Sequence, residues 1–222
     1  MPRKPVTWQI LIASLEHRHA KLKRLLECLA PQIIPSVSVL IYRDNLDKPI
    51  GIKRQVLLDT ATSDYVSFID DDDLVSPRYV ERVAQAMRKR PHYVGWEQVF
   101  TLDGVDQGPV FHSLANGLEW RNENGAHYRG IAHTNLIRRD LALLGRFDRV
   151  LTGPGEDYAW IMELAATGRV TDEIYINEPL YYVRQEAADN FHTERESLTV
   201  HPPPLNFPFV RYVDVSGRGQ DR

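Results

Sequence analysis

Apolar residues fall in short blocks whose spacing changes along the chain, and each change marks an element. Residues 6–13 are a compact apolar run between Pro5 and Ser14, the pattern of a strand buried on both faces rather than a helix. Leu22, Leu25, Leu26 and Leu29 then recur at helical spacing, with Lys21, Lys23 and Arg24 turned away, and Pro31 closes the segment. Residues 36–42 (SVSVLIY) predict a second strand, 51–62 a second helix and 65–69 (YVSFI) a third strand. A further helix is expected with Ser76 as its cap, Pro77 at its first position, and Val80, Val83, Ala84 and Met87 on one face.

Strands alternating with helices in this order predict parallel pairing through right-handed crossovers, with any ligand beyond the carboxyl ends of the strands. Beyond Pro91 the pattern weakens. Residues 93–101 predict a strand, 102–130 a loop rich in glycine, polar and aromatic residues, and 131–137 another strand. Residues 157–167 predict a helix ended by Gly168, with Trp160, Ile161 and Leu164 turned inward. From Pro202 the composition shifts to proline, arginine and glycine, as in an appended tail.

With 222 residues, 43% of them hydrophobic and 26% charged, the chain can bury a full core in one domain. Its 27 basic and 30 acidic residues leave a net charge of -3, which gives no broad cationic surface for sequence-independent capture of nucleic acid. The single cysteine, Cys28, lies on an apolar helical stripe, so a packed thiol and a reducing, cytoplasmic compartment are expected. No apolar stretch approaches the roughly 18 residues needed to cross a bilayer. The first one runs into Glu16, His17 and Arg18 without a small-residue cleavage site, so it is read as a strand and not a leader.

Chemistry concentrates at two strand ends and one helix start. The second strand runs into Arg43 and Asp44, and the third into Asp70, Asp71, Asp72 and Asp73. Like charges so close disfavour one another's ionisation unless a cation compensates them. Asp70 and Asp72 alternate, so they can project the same way and offer hard oxygens to Mg²⁺ or Mn²⁺. The bland alternative is a solvated turn whose Asp73 caps the next helix. Later, Glu156 and Asp157 follow Gly153, Pro154 and Gly155 at a helix start, where an acidic first turn needs no function to explain it.

In their order and spacing, the stretches ILIASLEHRHAKLKRLLECLAPQ, SVLIYRDN, GIKRQVLLDTATSDYVSFIDDDDLVSPRYVE and FDRVLTGPGEDYAWIMELAATG resemble family 2 glycosyltransferases with the GT-A fold. The resemblance implies an α/β fold: one GT-A domain over residues 1–200 with a mostly parallel, Rossmann-like central sheet flanked by helices. Its nucleotide-binding half would span about 6–100 and its acceptor and catalytic half about 101–200, with 201–222 as tail. It also implies a nucleotide-diphosphate donor, usually a UDP-sugar, and an acceptor hydroxyl that the sequence does not identify. Ser14 and Leu15 match the loop lining the nucleotide pocket, and Asp44 the carboxylate that accepts from the base. Arg54 matches the basic residue facing the nucleotide-sugar, with Lys53 as an alternative phosphate partner. Asp70 and Asp72 match the DxD pair, assigned to the ribose and to the metal that holds the diphosphate, with Asp71 grouped at the nucleotide. Asp157 matches the catalytic base of an inverting transfer, and Glu156 its neighbour. His192, or His133, is placed as a further metal ligand, and Trp120 as an acceptor contact, whereas Trp96 is read as core.

Other classes share parts of this pattern. Sugar nucleotidyltransferases carry a glycine-rich basic loop after the first strand, which ASLEHRH lacks. Haloacid-dehalogenase-like phosphatases place their aspartates after the first strand, not the third. A non-catalytic nucleotide-sugar or divalent-ion module would not need Glu156 and Asp157.

Overall fold

In the computed structural model, which describes residues 4–152, 155–186 and 202–214, strand β1 (Trp8–Leu15) is buried along most of its length. Trp8, Ile10 and Ile12 enter one core with Leu22, Leu25, Leu26 and Leu29 of helix α1 (His19–Leu29), while Leu11 enters the opposite core. Strand β2 (Val37–Asp44) divides its side chains in the same way. A strand's two-residue period thus separates two apolar layers, one on each face of the sheet. Helix α2 (Ile50–Thr60) puts Leu57 and Leu58 into the second layer. After β3 (Tyr65–Phe68) and β4 (Leu74–Val75), helix α3 (Tyr79–Met87) puts Val80, Val83 and Met87 into the first. Because β1 pairs in parallel with both β2 and β3, Asp44 and the acidic run leave the sheet at the same edge.

The rest of the chain is β5 (Tyr93–Leu102), β6 (Val105–His112), β7 (Arg121–Glu123), β8 (Ala126–Arg129), β9 (Leu136–Arg138), α4 (Arg139–Ala142), α5 (Glu156–Ala166), β10 (Glu173–Gln185) and β11 (Val210–Tyr212). The sheet order is β11-β2-β1-β3-β9-β5-β6-β8-β7, with β10 on β5 and β4. Pairing is parallel from β11 to β3, and β9 then runs antiparallel to both β3 and β5. The architecture is the expected α/β type, but its sheet is mixed: the stretch from β11 to β3 is wholly parallel, whereas the rest combines the parallel pairs β5–β10 and β6–β8 with antiparallel ones. Trp160, Ile161 and Leu164 of α5 are buried as predicted, and so is Trp96. Cys28 packs against the first core, its thiol donating to the Val75 carbonyl. Among the described residues no helix is long and apolar enough to cross a membrane.

Four local expectations are corrected. Residues 102–130 are not simply loop: they hold β6, β7 and β8, whose side chains are mostly half-buried or exposed and so lack an apolar period. The strand expected at 131–137 shrinks to Leu136–Arg138, because the preceding residues fold into a turn closed by the Asn135 N–H on the Ala132 carbonyl. Ser76 Oγ accepts from the Arg78 N–H at 3.2 Å, as a cap would, but it does so in a turn that precedes α3. Its N–H is drawn to the Leu180 carbonyl beside β4, and the helix starts later, at Tyr79, with Pro77 still in the turn. Nor is the segment after Pro202 only a tail, since β11 adds a parallel strand to β2 and Arg43 donates to the Pro203 carbonyl.

Candidate active site

Helix α2 enters the site through Gly51. A Cβ there would lie 2.4 Å from the Phe147 carbonyl oxygen and 3.1 Å from the Glu156 Cβ, so only glycine lets α2 come this close to the start of α5. One turn on, the buried Arg54 guanidinium donates from Nη1 to Glu156 Oε1 (2.5 Å) and from Nη2 to Asp70 Oδ1 (2.7 Å). His133 lies beside it, between two of the acids. His133 has Nδ1 3.8 Å from Asp157 Oδ2 and Nε2 3.9 Å from Asp70 Oδ2. The ring is fixed by the hydrogen bond from the Phe68 N–H to its backbone carbonyl and by edge contacts with Phe68 and Phe147. Its buried Nε2 has no hydrogen-bond partner.

The two acids of α5 therefore differ. The Glu156 side chain is 8% exposed and neutralised by Arg54, whereas that of Asp157 is 38% exposed. Asp157 Oδ1 accepts from the Tyr158 N–H at 2.8 Å, which leaves Oδ2 toward His133. Gly155 precedes the pair at φ 112°, a left-handed conformation that glycine adopts without strain.

The acidic run is compensated residue by residue. Arg18 pairs with Asp71 (3.0 Å) and with Asp72, and Arg24 donates to the Asp72 carbonyl. Ser14 Oγ donates to Asp71 Oδ2 at 2.6 Å. Ser14 and Leu15 thus close β1 opposite Arg43 and Asp44 instead of lying in the loop after it. Asp73 does not cap α3: it accepts from the Tyr181 hydroxyl (2.7 Å) and the Arg184 N–H (2.8 Å), tying the run to β10. Burial alone would raise the Asp70 carboxyl, but the Arg54 guanidinium and His133 outweigh it and hold Asp70 well below the usual carboxylate range. Burial lifts Asp71 to about 6 despite Arg18, and lifts Asp73 well above the usual range with help from Asp70 and Asp72. With its charge met by Arg18, Arg54 and burial, the run does not by its acidity alone demand a metal.

Among the described residues no three acidic, histidine or cysteine side chains converge on one point. The donor set still suits a hard divalent ion that keeps most of its shell for water and phosphate oxygens, because Asp70 and Asp72 offer carboxylate oxygens that are not fully buried. His192 lies outside the described residues, as do Gly153 and Pro154.

Asp44 and Lys53 form a separate buried pair at 2.7 Å, and Asp44 Oδ2 also accepts from the Lys48 N–H. The neighbouring cations of α2 therefore serve different carboxylates, Lys53 on Asp44 and Arg54 on Asp70 and Glu156. Trp120 stands in the loop before β7, its ring edge-on to that of Tyr158 at 6.4 Å, next to Asp157. Arg18, Tyr181 and Arg184 were not singled out by sequence reasoning. Arg18 could have been, since it follows the carboxyl end of β1, whereas a tyrosine in a distant strand carries no such signal.

The model of glycosyl transferase family 2 matches residues 22–143. That is more than half of the chain, which therefore belongs to this family. No curated protein sequence matches. Among solved structures, the chain is similar to Staphylococcus aureus TarS 1-349, with TM-score 0.61 at 15% identity over 81% of this chain and 60% of that one. The same fragment in complex with UDP-GlcNAc gives TM-score 0.58 at 13% identity over 81% and 59%, and in complex with UDP 0.55 at 14% over 81% and 60%. The chain thus spans about 60% of the TarS fragment it matches.

Proposed function

We propose that this family 2 chain transfers a sugar from a nucleotide-diphosphate donor, a UDP-sugar such as UDP-GlcNAc, to an acceptor hydroxyl with inversion at the anomeric carbon. The observation that carries this reading is the Arg54 guanidinium bonded between Asp70 and Glu156, with His133 set between Asp70 and Asp157. Together they set Asp70, at the donor end of the sheet, close to Glu156 and Asp157, at the start of α5, so that both ends of a displacement reaction meet in one constellation.

Asp157 takes the proton of the acceptor hydroxyl. The acceptor oxygen then forms its bond to the anomeric carbon as the carbon–oxygen bond to the diphosphate breaks on the opposite face, and the bonding pair leaves with the phosphate. Glu156 is the weaker base, since its charge is already committed to Arg54. Asp44 is assigned to the base N–H, which the carboxylate would meet by opening its buried pair with Lys53, and Ser14, Leu15 and Asp71 complete the nucleotide side. Asp70 and Asp72 would hold Mg²⁺ or Mn²⁺, which when bound neutralises charge on the departing diphosphate. Trp120 stands on the acceptor side.

The test is UDP release from a panel of UDP-sugars with Mn²⁺ or Mg²⁺, repeated in chelator, with the anomeric configuration of the product read by NMR. Metal-stimulated release and inversion are expected. Absence of binding and turnover with every donor would leave a non-catalytic relative, and retention would remove the single-displacement mechanism.

A further inference from the structure

We infer that the acceptor is a saccharide, seated by the face of a sugar ring in the corner between Trp120 and Tyr158; this deepens the transferase reading and rests on it. Trp8, Trp96 and Trp160 are fully buried or nearly so, yet Trp120 is 63% exposed and Tyr158 49%. Their rings stand 89° apart, so two aromatic faces form a right-angled corner. Tyr158 follows Asp157 directly, and its N–H holds that carboxylate at 2.8 Å. The corner is thus anchored on α5 one residue along the chain from the proposed base.

The corner is built and not a frayed loop. The Arg129 guanidinium lies 4.7 Å from the Trp120 ring centroid and covers one face. Its nitrogens are committed to the hairpin: Nη1 donates to the Arg121 and Tyr128 carbonyls, both at 3.0 Å, and Nη2 to Asn122 Oδ1 at 2.8 Å. Arg129 acts as a clamp that fixes the indole before any ligand arrives, which reduces the ordering cost of binding.

The chemistry selects the ligand class. Exposed ring faces carry the negative side of the aromatic quadrupole, which attracts the polarised C–H bonds on the flat face of a pyranose. The surround is polar, with Arg121, Asn122 and Glu123 all exposed, and supplies hydrogen-bond groups for hydroxyls at the ring's edge. A lipid or a protein partner would call instead for a wide apolar surface.

The full chain is titrated, without donor, with methyl glycosides and disaccharides of glucose, galactose, mannose and N-acetylglucosamine, while tryptophan fluorescence is followed. Sorbitol and a serine/threonine peptide are the comparators. Because the other three tryptophans are buried, Trp120 dominates any change. At least one saccharide is expected to shift the emission, and Trp120→Ala to weaken that ligand at least tenfold by calorimetry, with Trp120→Phe losing less. In transfer assays the acceptor KM should rise at least tenfold in Trp120→Ala while kcat changes less. No response to any saccharide, equal binding by Trp120→Ala, or preferred transfer to the peptide or the polyol overturns the inference. The binding arm needs no donor. Saccharide binding without transfer to any acceptor would sink the transferase reading and keep this site, while transfer insensitive to Trp120 would sink only this inference.

Discussion

At the proposed donor side of the site, Arg54 is buried between Asp70 and Glu156, with Lys53 buried on Asp44 close by in the chain; at the proposed acceptor side, Arg121 and Glu123 pair in solvent and Arg129 lies on an exposed indole. The same residue types carry different energies in the two places. Little water screens the buried pairs, so each charge depends on its partner, and a lone survivor would be costly. The exposed pairs lose much of their attraction to solvent and to side-chain entropy. In the transfer proposed above, the first side would hold a fixed set of charges where a diphosphate departs, and the second would exchange contacts with a variable acceptor.

The widest test of that contrast is Arg54→Met. It leaves Glu156 buried without its cation and releases Asp70, so unfolding should become easier by about 3–5 kcal/mol in urea titrations. Adding Glu156→Gln should return part of the loss, because the orphaned charge goes with it. A loss below about 1 kcal/mol would place the pair among the surface kind.

Asp157→Asn probes the carboxylate between the two sides. It keeps size and most hydrogen bonding but removes the basic lone pair, so transfer should fall by about 10²-fold or more, roughly 2.7 kcal/mol in the barrier, with UDP binding retained. Glu156→Gln should cost stability as well as rate, since it removes one of the two carboxylate charges that the buried Arg54 meets. Near-normal turnover in the asparagine variant would move the base elsewhere.

Much of the donor side was legible in the sequence. Strands buried on both faces leave uninterrupted apolar runs, and acids placed just after them must emerge at one sheet edge. The bridge from Arg54 to Glu156 was not legible: it joins residues 102 apart, and neither spacing nor composition records which of two adjacent cations reaches which acid. The acceptor hairpin was read as loop, because strands exposed on both sides carry no apolar alternation. Trp120 was legible only as an aromatic in a polar stretch; its corner with Tyr158 exists only after folding.

One histidine beside the exposed hairpin titrates out of solvent. His112, at the end of β6, is half-buried with Nδ1 donating to the Gly130 carbonyl at 3.2 Å, and loss of solvent around the ring pushes it down from 6.5 to about 4. Below pH 6.5 the unfolded chain takes a proton that the folded chain refuses, so stability falls as pH drops through that window. Between pH 7 and pH 5 this group should remove about 2 kcal/mol from the unfolding free energy. His112→Gln should flatten the difference by that amount. An unchanged pH slope in the variant would show that the acid sensitivity arises on the donor side instead.

The smallest expected effect is the most direct check on the contrast. Arg121 and Glu123 are 46% and 54% exposed, their charged atoms are 3.3 Å apart, and the Arg121 guanidinium also lies 5.2 Å from the Tyr128 ring centroid. Exposed pairs of this kind contribute about 0.2–1 kcal/mol, and salt weakens them further. Arg121→Ala should therefore shift the unfolding midpoint little, and raising the salt concentration should shrink even that difference, whereas the Arg54→Met loss should persist because little solvent reaches the buried pair. If Arg121→Ala cost as much as Arg54→Met, or if both losses faded together with salt, burial would not be what separates the two sides of the site.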